Sequence, residues 1–188
     1  MTTLRIYDET GKALTAPLTD GDAIASAMNE HGVQFERWAA SHALAADAGA
    51  EDVMAAYRDS IDVLKKKYRF ATVDVVALQP DHPQKDELRQ KFLSEHTHDD
   101  YEIRFFVDGS GLFYLHLGQQ VLLILCTRGD LISVPANTPH WFDMGCNPDF
   151  KCIRFFTTEN GWEADFTGSA ISEAFPDMDT FVAGLSGR

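Results

Sequence analysis

Short apolar segments with alternating polar positions dominate the second half of the chain. Connections such as G-S-G, G-Q-Q, T-R-G-D and P-A-N-T-P separate them, and these residue types are typical of tight turns. Strands that follow one another without intervening helices indicate an antiparallel sandwich or barrel. The pattern therefore predicts a mainly β core of five strands: Glu102–Val107, Leu112–Leu117, Val121–Leu125, Leu131–Val134 and Lys151–Phe156.

The first half of the chain mixes helical and strand periodicities. Apolar residues recur at helical spacing from Glu51 to Tyr68, with acids early and lysines late, an order that suits the helix dipole. Another helix is predicted from about Ala23 to Glu30, with Asp20 or Asp22 as its N-terminal cap and Gly32 just after its end. The remaining predicted elements are the strands Leu4–Tyr7, Val33–Trp38 and Thr72–Leu78 and the helices Asp86–Leu93 and Ser169–Phe175.

Nothing in the 188 residues divides the sequence into separate domains. There is no internal repeat, low-complexity tract or linker, and the length suits one domain with a sizeable core. Within residues 1–188 we expect N-terminal helices and flanking strands at about 1–93, a β core that carries the site at about 94–160, and a C-terminal tail at 161–188.

Composition limits the classes of partner and the compartment. The formal net charge of −13 argues against nucleic acid and anionic membranes as partners. The longest apolar run, Val121–Cys126, is too short to cross a bilayer, and the N-terminal residues lack the features of a signal peptide. Three cysteines without C-x-x-C spacing favour reduced thiols, with a Cys146–Cys152 bond as the alternative. We therefore expect a cytoplasmic protein.

Two histidines and a glutamate lie close together in the segment E-H-T-H-D-D-Y-E. His96, His98 and Glu102 have the same parity, so an extended backbone directs all three side chains to one face. His140, at the end of V-P-A-N-T-P-H, is a fourth candidate. An isolated histidine is usually structural, but this joint spacing favours a metal site. Three nitrogen ligands and one oxygen ligand suit iron(II), nickel(II), manganese(II) or zinc(II), and an octahedral ion would keep two positions open for a chelating ligand.

Arg104 shares the parity of Glu102, so we expect its side chain to point into the barrel. A buried guanidinium needs an anionic partner, because burying an unpaired charge is very costly. That partner is either a structural carboxylate or a bound anion, to which arginine can present two parallel donors. By the same alternation, Phe105 should face away from the site.

Other polar residues around these candidates have simpler interpretations. Glu95, Asp99 and Asp100 add negative charge beside the ligand candidates, and we expect them to be solvated loop acids, with guidance of metal entry as a secondary role. His116 lies on an apolar strand and is predicted to be a hydrogen-bonded histidine. The remaining histidines are predicted to be exposed: His31, His42 and His82.

Two motifs in this chain resemble those of the cupin superfamily. The first, H-x-H-x(3)-E-x(6)-G, is matched by His96, His98, Glu102 and Gly109. The second, G-x(5)-P-x-N-x-x-H, is matched by Gly129, Pro135, Asn137 and His140. Asn137 replaces a glycine, and asparagine also accepts a left-handed turn conformation. Gln90 and Met144 depart from the pattern at positions that hold no ligand candidate. The resemblance implies a cupin double-stranded β-helix, a jelly-roll barrel, with a helical N-terminal elaboration.

Longer stretches look like the acireductone dioxygenase family of methionine salvage. They are E-H-T-H-D-D-Y-E-I-R-F-F-V-D-G-S-G-L-F-Y-L-H, V-P-A-N-T-P-H-W-F-D and the R-F-F-T that begins at Arg154, and the likeness covers most of the chain. The resemblance implies a monomer with one Fe(II) or Ni(II) that cleaves acireductone (1,2-dihydroxy-3-keto-5-methylthiopentene) with O2. Formate and 2-keto-4-methylthiobutyrate are then expected with Fe(II), and methylthiopropionate, formate and CO with Ni(II).

The same resemblance suggests roles around the metal. Arg104 is expected to help form and hold the substrate dianion, with Arg154 as a second candidate for the same pocket. Three aromatic residues are candidates to wall the methylthio tail, although aromatic residues beside a barrel are mostly core: Phe92, Phe142 and Trp162. Two other classes remain open. They are a cupin isomerase or decarboxylase acting on a sugar or keto acid, and a non-catalytic metal-binding cupin.

Overall fold

The computed structural model describes residues 1–186, so the last two residues of the predicted 161–188 tail lie outside the described residues. Its sheet is antiparallel throughout, which confirms the mainly β prediction. The strands are β1 Thr3–Asp8, β2 Gln34–Arg37, β3 Thr72–Leu78, β4 His96–Thr97, β5 Glu102–Leu117, β6 Gln120–Thr127, β7 Asp130–Val134, β8 His140–Asp143, β9 Phe150–Phe156 and β10 Asp165–Phe166. The helices are α1 Gly21–Glu30, α2 Ala50–Ala56, α3 Arg58–Tyr68, α4 Lys85–Leu93 and α5 Met178–Ser186, with a 3-10 turn at Ile171–Ala174.

Strand β5 is the hub of the sheet. Its first half pairs with β7 and β9, and its second half pairs with β6 and β8. The register with β9 shifts between Phe106 and Asp108, and such a bulge bends a strand and increases its twist. The prediction of two strands, Glu102–Val107 and Leu112–Leu117, joined by a G-S-G turn was therefore wrong at the connection, because Gly109 to Gly111 continue a single bent strand.

Gly109 has a structural requirement that no other residue meets. Its φ is +67°, and a Cβ at this position would overlap the carbonyl oxygen of Asp149. Only glycine adopts this conformation without strain and allows the chain before β9 to approach so closely. Gly109, the glycine of the first cupin-like motif, therefore permits the bend in β5. The bend allows the two halves of this strand to take part in the same barrel.

The barrel interior is filled mainly by aromatic and aliphatic side chains. Phe106, Phe113, Phe142 and Phe150 contact one another there, with ring centroids 4.9 to 6.4 Å apart. Burying each such side chain stabilises the fold by roughly 1.5–3 kcal/mol. Phe105 faces the opposite way and packs in a separate cluster against α2 and α3. This position confirms the alternation predicted for β5.

Helices α2 and α3 cover the outer face of the sheet, on which Phe105 lies. The predicted helix from Glu51 to Tyr68 is two helices, α2 and α3, with Tyr57 between them at φ −103° and ψ 16°. The Tyr57 ring is fully buried and packs edge-on against Phe105. Because the apolar period continues unchanged through the break, sequence periodicity could not reveal it. Helix α1 matches its prediction, with the Asp20 carboxylate accepting a hydrogen bond from the Ala23 N–H.

The C-terminal tail contains more structure than its sequence suggested. The helix predicted at Ser169–Phe175 is reduced to the 3-10 turn, and α5 was missed. Asp177 caps α5 by accepting a hydrogen bond from the Thr180 N–H, a signal that the sequence did contain. Phe181 buries the helix against the barrel in a cluster with Tyr7 and Trp141. None of the described helices is long and apolar enough to span a membrane.

Candidate metal centre

Three histidines and a glutamate meet at one end of the barrel. His96 lies on β4, His98 just after it, His140 at the start of β8 and Glu102 at the start of β5. One ring nitrogen from each histidine lies within 4.8 Å of the other two. The Glu102 Oε2 atom is 3.2 Å from His140 Nε2 and 3.9 Å from His98 Nε2. All four side chains are buried, and none is more than 5% exposed. The structure thus brings the four predicted ligand candidates together.

A backbone carbonyl fixes the ring of each histidine. The Nδ1 atoms of His96, His98 and His140 lie 2.8, 2.7 and 2.8 Å from the carbonyl oxygens of Ser94, Glu163 and Thr138, respectively. A carbonyl oxygen can only accept, so each Nδ1 must carry the hydrogen. In the neutral ring Nε2 is then a bare acceptor, which is the tautomer that a metal ligand needs.

This arrangement sets acceptors against each other. In a neutral His140 with its hydrogen on Nδ1, the bare Nε2 faces the ionised Glu102 carboxylate at 3.2 Å with no hydrogen between them. A divalent cation bound by both atoms removes that repulsion and satisfies both lone pairs. The set of three imidazoles and one carboxylate therefore fits a first-row metal ion.

The protonation states also suit metal binding near neutral pH. Burial lowers the pKa of His96 to about 4, and burial likewise lowers the pKa of His98. Burial alone would raise the pKa of Glu102, but the adjacent Arg104 guanidinium opposes this effect, and the pKa lies well below its usual range. His96 and His98 are therefore neutral and Glu102 is ionised, so a metal ion does not have to displace protons from these three ligands.

Arg104 is buried beside the glutamate, as its parity predicted. Its Nε and Nη2 atoms each lie 2.8 Å from Glu102 Oε1. The guanidinium also lies over the rings of Phe113 and Phe142, at 4.9 and 4.8 Å from their centroids. The predicted anionic partner is thus a carboxylate of the protein itself. Arg104 nevertheless reaches the cavity beside the histidines, where it can meet a bound anion as well.

A cavity of about 200 Å³ opens onto this group. Arg154 lies in its wall and is held by Asp74, whose two oxygens are 2.9 and 2.7 Å from Nε and Nη2. Phe142 lies beneath the Arg104 guanidinium and is not among the described residues that line the cavity. The lining residues are Lys91, Phe92, His96, His98, Arg104, Arg154, Trp162, Ala164 and Phe166. A larger groove near Met1 and Leu185 has no charged side chain among its described lining residues and lies away from the histidines.

The prediction that Glu95 and Asp100 are solvated was wrong. Glu95 is 4% exposed, accepts a hydrogen bond from Thr167 Oγ1 and lies 2.9 Å from His116 Nδ1. Asp100 is 5% exposed and accepts hydrogen bonds from the backbone N–H groups of residues 157 and 158. Both carboxylates are therefore structural anchors for the segments around the histidines. Asp99 is exposed, and His116 is hydrogen-bonded, both as predicted.

The remaining sequence expectations are mostly confirmed. Asn137 has φ +60°, the left-handed conformation that its position in the second motif requires.

The prediction that three histidines are exposed is confirmed for His42, whereas His31 and His82 are partly buried. All three cysteines are free, so the reduced state predicted from their spacing holds in the structure.

Three residues of the cavity wall were not predicted from the sequence: Lys91, Ala164 and Phe166. Phe166 lies on β10, opposite His96 on β4, and its ring centroid is 5.8 Å from that of the histidine. The alternation W-E-A-D-F places Trp162, Ala164 and Phe166 at the same parity, and this was the available signal. The short pairing of β10 with β4 could not be predicted, because neither two-residue strand has a pattern of its own.

The antiparallel barrel and its inward histidines define a metal-binding cupin. The sequence model of the ARD/ARD' family matches residues 3–164, and the chain belongs to this family. It is 56% identical over 182 residues to "Acireductone dioxygenase" of Methylococcus capsulatus, covering 97% of this chain and 98% of the relative. It is 54% identical over 184 residues to the protein of the same name from Aquifex aeolicus, covering 98% and 100%.

A solved structure supports the same assignment. It is described as acireductone dioxygenase from Bacillus anthracis with a cadmium ion in its active center. The TM-score is 0.76 at 26% sequence identity, over 88% of this chain and 98% of that one. This chain is therefore a metal-dependent enzyme of the family with a cupin fold.

Proposed function

We propose that this chain cleaves acireductone with O2 in methionine salvage, as a cytoplasmic monomer with one Fe(II) or Ni(II). The observation that carries the proposal is the centre itself. Three imidazoles, each with Nδ1 bound to a carbonyl, face the Glu102 carboxylate within one buried cluster. The names of relatives that align over nearly the full length of the chain support the choice of substrate.

His96, His98, Glu102 and His140 are proposed to hold the metal, which would supply Lewis acidity and orient the bound substrate. The acceptor-to-acceptor contact between Glu102 and His140 supports this assignment. Glu102 is also the anionic partner of Arg104, so one carboxylate would link the ligand set to the nearest buried cation. Glu95 is proposed to support the centre from behind, because it anchors the backbone directly beside His96.

Arg104 is proposed as the catalytic residue that holds the substrate anion. An enediol conjugated with a ketone is a vinylogous acid, so this substrate ionises readily, and a second ionisation places two negative charges near the metal. The Arg104 guanidinium stays protonated and has donors left beyond those used by Glu102. Arg154 lies in the same wall and is a second candidate, although its Nε and Nη2 atoms already bond to Asp74.

The apolar part of the cavity is proposed to bind the methylthio tail. Phe92, Trp162 and Phe166 line it, and Phe142 packs edge-on against Phe92 from the core side. Trp162 and Phe166 are 49% and 51% exposed, so a bound tail would cover apolar surface that now contacts water. Apolar contacts of this kind contribute about 25 cal/mol per Å² removed from water.

The proposed function is tested by exchanging the metal and identifying the products. Apoprotein reloaded separately with Fe(II) and Ni(II) is given acireductone and O2, and a protein-free sample corrects for spontaneous oxidation. We expect 2-keto-4-methylthiobutyrate and formate with Fe(II), and methylthiopropionate, formate and CO with Ni(II). Oxygen uptake should match acireductone loss in both samples. Loss of acireductone without oxygen uptake would point instead to an isomerase or decarboxylase.

A further inference from the structure

The charge of the cavity is opposite to that of the whole chain. The chain carries a formal net charge of −13, yet the described side chains lining the cavity include three cations and no carboxylate. The cations are Lys91, Arg104 and Arg154. Glu163 and Asp165 alternate in sequence with the lining residues of the last segment and are not part of the lining. The cavity is therefore lined by cationic side chains although the chain as a whole is acidic.

Two of these cations are already paired with carboxylates of the protein. Arg104 lies 2.8 Å from Glu102, and Arg154 lies 2.7 Å from Asp74. Lys91 differs, because it is exposed and makes no ion pair within residues 1–186. It lies in the last turn of α4, next to Phe92 and five residues before His96. Among the three cations of the cavity, Lys91 is thus the one whose charge no carboxylate of the described chain neutralises.

We propose that Lys91 attracts the anionic substrate into the cavity and contributes to selection for an anion, an inference that rests on the proposed function. The acidic surface elsewhere repels an enolate, so an unpaired positive charge on an exposed residue of the cavity lining raises both the rate of association of the enolate and its local concentration. Arg104 holds the anion at the metal, whereas Lys91 acts earlier, at entry. Its effect must depend on salt, because the Debye length falls from about 30 Å at 0.01 M to about 3 Å at 1 M.

The experiment compares Lys91→Gln, Lys91→Arg and Lys85→Gln with the wild type. Lys85→Gln removes the same charge from the same helix at a position outside the cavity lining. Steady-state turnover of acireductone is measured at about 0.01 M and about 0.5 M ionic strength. Anaerobic stopped-flow binding of acireductone, followed by tryptophan fluorescence because Trp162 lines the cavity, reports entry without turnover.

At low ionic strength we expect Lys91→Gln to lower kcat/KM and the association rate by about 3- to 10-fold, with kcat unchanged within about twofold. Lys91→Arg and Lys85→Gln should stay near the wild type, and the differences should vanish at high ionic strength. Equal losses in Lys91→Gln and Lys85→Gln, or a loss independent of salt, would overturn the inference. If wild-type protein loaded with either metal does not turn over acireductone, the proposed function fails instead.

Discussion

Arg104 donates a hydrogen bond from Nε to Oε1 of Glu102 at 2.8 Å, and its Nη2 atom forms an ion pair with the same oxygen at 2.8 Å. The other oxygen of the carboxylate is left facing His140 Nε2 at 3.2 Å. Each carboxylate oxygen therefore has a separate partner, which is the Arg104 guanidinium for Oε1 and the His140 imidazole for Oε2. The pairing follows from β5, because residues two apart on a strand project to the same face.

Arg104→Ala is predicted to abolish turnover while leaving the metal bound at neutral pH. The substrate anion loses its cation, and we expect kcat/KM to fall by at least about 100-fold, as for removal of other charge-stabilising donors. Metal content by elemental analysis and anaerobic spectroscopic titration with acireductone separate the two effects. Wild type should convert bound substrate to the dianion, and the variant should not.

The control for this prediction is Arg104→Lys, which keeps the charge but not the planar pair of donors. It should retain part of the activity. The metal-free Arg104→Ala protein should also lose about 3–5 kcal/mol of unfolding free energy, because Glu102 is left as an unpaired buried charge. Normal formation of the dianion in Arg104→Ala would reduce Arg104 to a structural partner of Glu102.

Gly109→Ala is predicted to destabilise the barrel far more than Gly118→Ala. Both glycines have positive φ, +67° and +65°, but only at Gly109 does an added Cβ meet backbone. We expect about 1 kcal/mol for the conformational strain in Gly118→Ala and more than about 3 kcal/mol for Gly109→Ala. Urea denaturation of the two variants is the measurement, and similar losses in both would contradict the account of the bend in β5.

His116 is predicted to stabilise the fold more in acid than in base. Burial lowers its pKa, but hydrogen bonds to Glu95 and Glu9 outweigh burial and raise the pKa above its ordinary value. The stabilisation is therefore complete below the unfolded pKa of about 6.5 and is lost as pH rises through the folded pKa. His116→Gln should cost more unfolding free energy at about pH 6 than at about pH 9. A cost independent of pH would show that these contacts do not depend on the charge of His116.

Much of the fold could be predicted from the sequence, because its signals were local. The alternation in β5 placed Glu102, Arg104 and Phe106 on one face and Phe105 on the other, and the structure has that arrangement. The predicted cap, Asp20 or Asp22, similarly located the start of α1, and the structure has Asp20 in that position. The shared parity of His96, His98 and Glu102 was by itself sufficient to group three of the four ligand candidates.

Three of the errors share one cause, because they concern contacts between residues distant in sequence. The bend at Gly109 depends on Asp149, 40 positions along the chain, so G-S-G was interpreted as a turn. Glu95 and Asp100 were predicted to be solvated because their partners, near Thr167 and Thr157, lie on the C-terminal segments. A sequence pattern predicts a contact between distant residues only where both residues belong to recognisable motifs. His140 in the second motif and His96, His98 and Glu102 in the first are such a case.

The central claim is that His96, His98, Glu102 and His140 hold one metal ion. The most direct test is metal titration of apoprotein, wild type and each single alanine variant, with His42→Ala as the control that removes an exposed histidine. Wild type and His42→Ala should bind about one equivalent. Because loss of a supporting contact alone costs about 10- to 100-fold in affinity, each ligand variant should bind more than about 100-fold more weakly. A folded variant of any of the four that keeps wild-type affinity would contradict the claim for that residue.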